Sequence, residues 1–411
     1  MAAFTCNGYL VANITALLAI NAIDRPAFKV ALLVAGLGWY EYDNAATIGG
    51  LTPADNPASG RWFPIGAGSL FWTTSTRPTS PVLGMQGYNT TRSRTEYFAN
   101  GTWITGVFGL NTGLAYTISS LATITVGTAP QNPCYSPSND RIYVPNFNSG
   151  DVSVINPLTN IVVATIAVTS PSSACYSPLN DRIYVTNSGS SVTVINPSTN
   201  TVVATITITV GNTPNGICYS PSNNRIYVAN RSSANSVTVI NTSTNTIVAT
   251  ITVGSFPIGA CYSPSNDRIY VTNQLGDSVS VIDPSTDTVV ATITVGSSPI
   301  GDCYSPSNNR IYVTNSGSNN VSVINPLTNI VVATVVVATL PTGVCYSPSN
   351  DRIYVTNRTS GSVSIINPLL NIVVATFVVG NATSAVCYSP SNDRVYVTNS
   401  SNSASSVSVL S

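Results

Sequence analysis

The thirteen letters CYSPSNDRIYVTN occupy Cys345 to Asn357 and stand again at Cys261 to Asn273, with close variants beginning at Cys134, Cys175, Cys218, Cys303 and Cys387. Successive cysteines lie 41, 43, 43, 42, 42 and 42 residues apart. A period of about 42 residues holding several short strands has the length of a propeller blade, whereas leucine-rich and β-helical solenoids repeat at much shorter intervals. One unit supplies four strands. Gly259 to Tyr262 (GACY) is short and apolar and suits the innermost position, while Arg268 to Thr272 (RIYVT) and Ser278 to Ile282 (SVSVI) alternate. Thr288 to Val295 (TVVATITV) is β-branched almost throughout, which fits a pleated surface packed on both faces. SPSND and NPST or DPST between the strands are turn chemistry.

The register predicts how the ring closes. The last unit stops at Ser411 after its third strand, SVSVL, and a spare fourth strand, SLATITVG (Ser120 to Gly127), stands before the first cysteine. The fold expected is therefore mainly β: a seven-bladed β-propeller over residues 114–411, its last blade made of three C-terminal strands and the N-terminal strand 120–127. Such closure hides both free sheet edges. Residues 1–113 share none of the repeat and read as a small α+β or mainly β domain.

RIYVTN followed by SVSVINP and TVVATITVG resembles the YVTN-repeat family of β-propellers found in bacterial and archaeal surface proteins, and the resemblance spans Ser120 to Ser411. Small departures are VPN at Val144 to Asn146 and VAN at Val228 to Asn230. The resemblance implies a fold and no single activity.

Composition narrows the function classes. Charged residues are only 7% of the chain, against about 25% in ordinary soluble proteins, and the formal net charge is +0. Nucleic acid is thus an unexpected partner, since phosphate binding needs concentrated basic surface. No basic amphipathic stretch suits an anionic membrane, and no membrane insertion is expected. Histidine is absent, which removes the usual general base and the commonest metal ligand. No catalytic, cofactor or metal site is expected. The apolar run Leu10 to Ala22 lacks a preceding basic residue and is broken by Asn13 and Asn21, so it reads as an amphipathic helix, with no export signal expected.

The repeat cysteines, one per blade at a common radius, should be free and packed as small hydrophobes. Arg141, Arg182, Arg225, Arg268, Arg310, Arg352 and Arg394 form a second sevenfold set, expected to brace turns or neighbouring blades. Asp302 stands out because the residues at its equivalent positions, such as Ala260 and Val344, are nonpolar, and it reads as a channel residue. Variation between units concentrates in the second-to-third-strand and inter-blade loops, on one face of the disc. Phe147, Arg231, Phe256, Gln274, Leu275 and Arg358 are the uncommon residues there and form the candidate receptor-binding face.

The first quarter carries all four tryptophans and the only lysine, Lys29, with Trp39 and Trp62 as expected core anchors. ITALLAI (Ile14 to Ile20), GWYEYDNAAT (Gly38 to Thr47) and GRWFPI (Gly60 to Ile65) resemble, in order and kind, an attachment module near the N-termini of bacteriophage tail fibres and tailspikes. The resemblance implies docking on a virion, with other virion proteins as partners, oligomeric in the assembled particle, and an exchangeable distal part that meets a host-surface glycan or protein. The expected function is a non-enzymatic phage appendage protein. The alternatives are a microbial cell-surface adhesin or structural propeller, located extracellularly, and then a propeller lyase or dehydrogenase, which zero histidines disfavour.

Overall fold

The computed structural model describes residues 120–209, 211, 213–232, 234–401 and 405–411, together with the backbone of nine short strands that precede them. Two compact units divide the chain, Met1–Ala115 and Tyr116–Ser411. In the first unit Ala31–Val34, Gly38–Asp43 and Arg61–Ile65 form one antiparallel sheet, in which the GWYEYD and RWFPI segments pair with Tyr42 opposite Trp62. Phe71–Trp72, Gln86–Asn89, Arg94–Ala99 and Thr102–Thr105 form another. Beyond the strand Tyr9–Val11, the helix expected over Leu10 to Ala22 lies outside the described residues, as do the side chains of Trp39 and Trp62.

The second unit is a seven-bladed β-propeller of antiparallel four-stranded sheets. Blade one begins at Cys134 and blade seven at Thr383. Blade four runs Pro257–Ser263, Arg268–Asn273, Ser278–Asp283 and Thr288–Thr294. Its innermost strand is longer than the GACY segment expected from sequence, because pairing continues to Pro257 opposite Asn273. A proline is tolerated there as the first residue of its strand.

Each turn has a backbone reason for its letters. The Asp or Asn before the repeat arginine is left-handed in every blade, from Asp140 at φ 53° to Asp393 at φ 55°. The closing Asn or Asp of the third-to-fourth turn, such as Asn160 (φ 56°) and Asp287 (φ 54°), is left-handed too. Asn and Asp enter this region at the least cost after glycine.

Burial is deepest in the second and third strands, and the outermost strand alternates exposed with part-buried positions, only Ile293 being fully inside in blade four. There is no single core. Seven apolar clusters fill the seven seams between adjacent blades, and each joins residues of two neighbours. The seam between blades seven and one contains Ile124 of the N-terminal strand beside Val407, Val409, Ile142 and Val144. That strand, Ser120–Thr125, pairs antiparallel with Ser406–Leu410 as the outermost strand of blade seven, the three-plus-one closure.

Polar stitches cross the same seams. Tyr270, fully buried, donates its hydroxyl to Asn329 Oδ1 of blade five at 2.9 Å and accepts from Asn266 Nδ2 at 3.0 Å. Asn266 Nδ2 also donates to the Pro326 carbonyl at 2.7 Å, again across the seam. Nearer the axis, Thr272 Oγ1 accepts from Gly259 N at 2.8 Å and donates to the Ile300 carbonyl of the next blade at 2.7 Å. The departures Pro145 and Ala229 lack this hydroxyl. The arginines act as braces: Arg268 donates to the Asp267 carbonyl at 2.7 Å and pairs with Asp283 at 3.1 Å, and Arg225 reaches Asp287 of the next blade.

Removing residues 1–127 should leave the last blade's third strand and the Ile124 slot open, giving aggregation or loss of cooperative thermal unfolding. Removing only residues 1–113 should leave a soluble propeller with a single transition. Equal behaviour of the two deletions in calorimetry would contradict the role of the N-terminal strand.

Candidate functional site

The two ends of each blade differ in what they spend their side chains on. At the turn end, Asn, Asp, Tyr and Arg are committed to the scaffold. At the other end, the residue following the repeat asparagine is tied to the inter-blade loop by its backbone N–H, and only Ser316 and Ser400 add side-chain bonds, to the Ser298 and Pro130 carbonyls. Phe147 N donates to the Ala129 carbonyl at 3.0 Å, Arg231 N to Thr213 at 3.0 Å, Gln274 N to Phe256 at 2.9 Å and Arg358 N to Leu340 at 2.9 Å. Each accepting residue is left-handed, including Phe256, Thr213 and Leu340, all at φ 58°. Such backbone is costly for a bulky or β-branched residue. It recurs around the ring and so belongs to the loop's construction, while the side chains it displays are free to differ.

Below these loops each repeat asparagine locks its own second-to-third connection. Asn273 Nδ2 donates to Ser278 Oγ at 3.1 Å and to Ser280 Oγ at 3.0 Å, and Asn146, Asn187, Asn315, Asn357 and Asn399 make the corresponding pair of bonds. The inter-blade loop must clear this asparagine: a Cβ on Gly254 would stand 2.5 Å from Asn273 Nδ2. The loop end is therefore a rigid platform.

A cavity of about 330 Å³ occupies the channel, and Arg231, Gln274, Arg358 and Asp302 all line it. Arg231 is stacked on Phe256, 5.9 Å from guanidinium carbon to ring centroid. Phe147 and Leu275 are exposed outside the cavity lining. Five of the six candidate face residues are thus either at the channel mouth, packed on it, or beside it on the Phe256–Gln274 loop pair, and Phe147 stands apart in blade one. The sequence reading missed the neutral polar lining: Gln131, Asn132, Asn215, Thr342 and Ser384. The signal was available, because the second residue of the first strand changes from blade to blade (Asn215, Ile258, Ile300, Thr342, Ser384) while the cysteine three places on does not.

Asp302 lies deeper, three residues along its strand from Pro299, about 10 Å from the mouth at strand rise. Its carboxyl lies beside the thiol and main-chain N–H of Cys261 in blade four, across the seam between blades four and five. Gly259 makes room for it: a Cβ there would come 2.7 Å from Asp302 Oδ1. Oδ2 is buried without a hydrogen-bond partner among the described residues. Burial raises its pKa to about 7, which the Cys261 donors only partly offset.

The seven repeat cysteines are free thiols in the structure. Burial pushes all of them up, Cys175 and Cys387 to about 12, so none is a thiolate nucleophile near neutrality. No group of three or more His, Cys, Asp or Glu suited to a metal ion occurs among the described residues.

No family model and no curated protein matches the chain. Among solved structures it is similar to Kuenenia stuttgartiensis hydrazine synthase, with 22% identity and a TM-score of 0.61 over 73% of this chain and 98% of that one. At this identity the likeness is one of propeller fold.

Two measurements follow from the channel. Asp302 holds its proton to about pH 7 when folded and loses it near 3.8 when unfolded. Its contribution to stability is therefore fully present below pH 4 and is lost as pH rises through 7. The melting temperature of the wild type should fall relative to Asp302→Asn between pH 5 and 8, and parallel curves would show an ordinary exposed carboxylate. The seven repeat thiols should resist a thiol reagent in native protein at neutral pH and all titrate after denaturation without reductant. Recovery of disulfide-linked peptides would contradict this.

Proposed function

We propose that this chain is a non-enzymatic binding protein whose propeller presents its loop end as a recognition face. The N-terminal segment attaches it to a larger particle, and the resemblance of that segment to phage attachment modules makes the particle a virion and the target a host-surface glycan or protein. The resemblance of the repeat to YVTN propellers of microbial surfaces is in keeping with work outside a cell. One observation carries the reading. The repeated polar side chains are committed to turns and seams, and the unrepeated ones, Arg231, Gln274 and Arg358, converge on one cavity mouth with Phe256 packed behind. Rigid scaffolds with differing loops at one end are the usual architecture of binding sites.

The chemistry of the channel favours binding over turnover. The chain has no histidine, its repeat thiols are held neutral, and the single acid in the cavity faces a thiol rather than a second carboxylate. A cell-surface adhesin would use the same face, and the particle to which the N-terminal segment attaches is what separates the two readings.

Alanine at Arg231, Phe256, Gln274 or Arg358 should weaken binding of the purified protein to host envelopes tenfold or more, the scale of an interface anchor at about 2 kcal/mol. Pro264→Ala, at an exposed turn on the opposite end, should bind as wild type. Asn266, in the same turn, is unsuitable as a control because it stitches two blades. Equal losses from both ends would mark the propeller as a passive element.

A further inference from the structure

We infer that the channel mouth is a site for a carboxylate-bearing saccharide, with Arg231 and Arg358 reading the carboxylate and Asn215 and Gln274 reading hydroxyls. The inference rests on the loop end being a recognition face and names what that face takes.

Nine arginines fall within residues 120–411, and seven belong to the repeat. Five of those seven donate to a turn carbonyl of their own blade, and Arg225 reaches Asp287. The two that remain outside the repeat, Arg231 and Arg358, have exposed side chains and no ion pair among the described residues, and both line the cavity. In a chain with 7% charged residues, two uncommitted guanidiniums around one opening are a concentration of unspent positive charge. A guanidinium presents a planar fork of donors that matches a carboxylate. Arg231 also lies over the Phe256 ring, 5.9 Å from guanidinium carbon to centroid, a contact that restrains the side chain before any ligand arrives.

The remaining lining decides the body of the ligand. Asn215 and Gln274 offer side-chain amides with no hydrogen-bond partner among the described residues, and amides can both donate to and accept from a sugar hydroxyl. Apolar lining is confined to aliphatic side chains and glycine backbone, such as Ile258, Ile300 and Gly301, with no aromatic floor for a flat heterocycle. A volume of about 330 Å³ lies at the small end of ligand pockets and admits one or two sugar rings, not a folded protein element. Asp302 sits below, beside Cys261, and below about pH 7 its retained proton leaves little repulsion to an anion at the mouth.

The test uses the full chain against oligosaccharides ending in uronic or sialic acids and the same oligosaccharides with that carboxyl reduced to an alcohol. Binding should be confined to the carboxylated members. Arg231→Gln and Arg358→Gln should each weaken it tenfold or more with unchanged melting temperatures, while Phe147→Ala and Leu275→Ala, outside the lining, should leave it within twofold. Equal binding of reduced and carboxylated sugars, or of wild type and arginine variants, would overturn the inference, as would no binding to either sugar class. Envelope binding measured in parallel separates the two levels. Envelopes bound without acidic sugars would leave the recognition face standing and remove its saccharide, and loss of both would remove the face itself.

Discussion

The phenol of the RIYVTN tyrosine is the contact from which the rest of the ring follows. It is fully buried in every blade, and an unsatisfied hydroxyl in that position would cost on the order of 1–3 kcal/mol. Satisfaction comes only partly from its own blade, through the turn asparagine. In six of the seven blades the other partner is the left-handed Asn or Asp of the next blade's outer turn, as in Tyr143 with Asn200 at 2.8 Å and Tyr184 with Asn245 at 2.7 Å. A blade therefore cannot complete its own hydrogen bonding. Each needs a neighbour at one angle and one register, and a repeated requirement of that kind is met by a closed ring.

The same requirement accounts for the letters of the repeat and for their invariance from unit to unit. Asn266 satisfies Tyr270 and crosses the seam, Asp267 takes the left-handed turn and accepts from the Tyr262 hydroxyl at 3.1 Å, Arg268 braces, Thr272 ties the inner strands, and Asn273 locks the loop beyond. Only Ile269 and Val271 are apolar packing alone. A segment in which nearly every side chain has two partners leaves little room for a ligand. That is a physical ground for seeking the site at the other end of the strands.

The propeller was legible in the sequence because its determinants are local and periodic: a period of about 42 residues, four short strand segments and Asx-rich turns recur until the count is plain. The closing strand was legible for the same reason, as one copy of a known segment out of place. What lay beyond reach were contacts set by the ring. Asp302 was visible as an odd residue, but its pairing with Cys261 depends on which strand lies across the seam, 41 residues back. Arg231 and Phe256 are 25 residues apart on different loops, and their stacking depends on a left-handed backbone at Phe256 that no local pattern announces. Phe147 and Leu275 qualified as uncommon loop residues on composition, yet neither lines the cavity. Loop chemistry names candidates, and the turn of the backbone decides which way each one points.

Blade symmetry also sets what the channel can recognise. Seven identical blades would present seven equal side chains to the axis and could only bind a ligand of matching symmetry or none. Here the position after the repeat asparagine is Phe147, Ser188, Arg231, Gln274, Ser316, Arg358 and Ser400 in turn. At Phe147, Arg231, Gln274 and Arg358 the loops are joined through backbone N–H and carbonyl groups, whereas Ser316 and Ser400 also donate their hydroxyls to loop carbonyls. Substitution at the four blades with Phe, Arg or Gln is therefore decoupled from folding: it changes the exposed surface while the seams, the turns and the closing strand keep their partners. The blades can share one scaffold and still place two guanidiniums and an amide around one opening, so the asymmetry that binding needs costs the fold almost nothing.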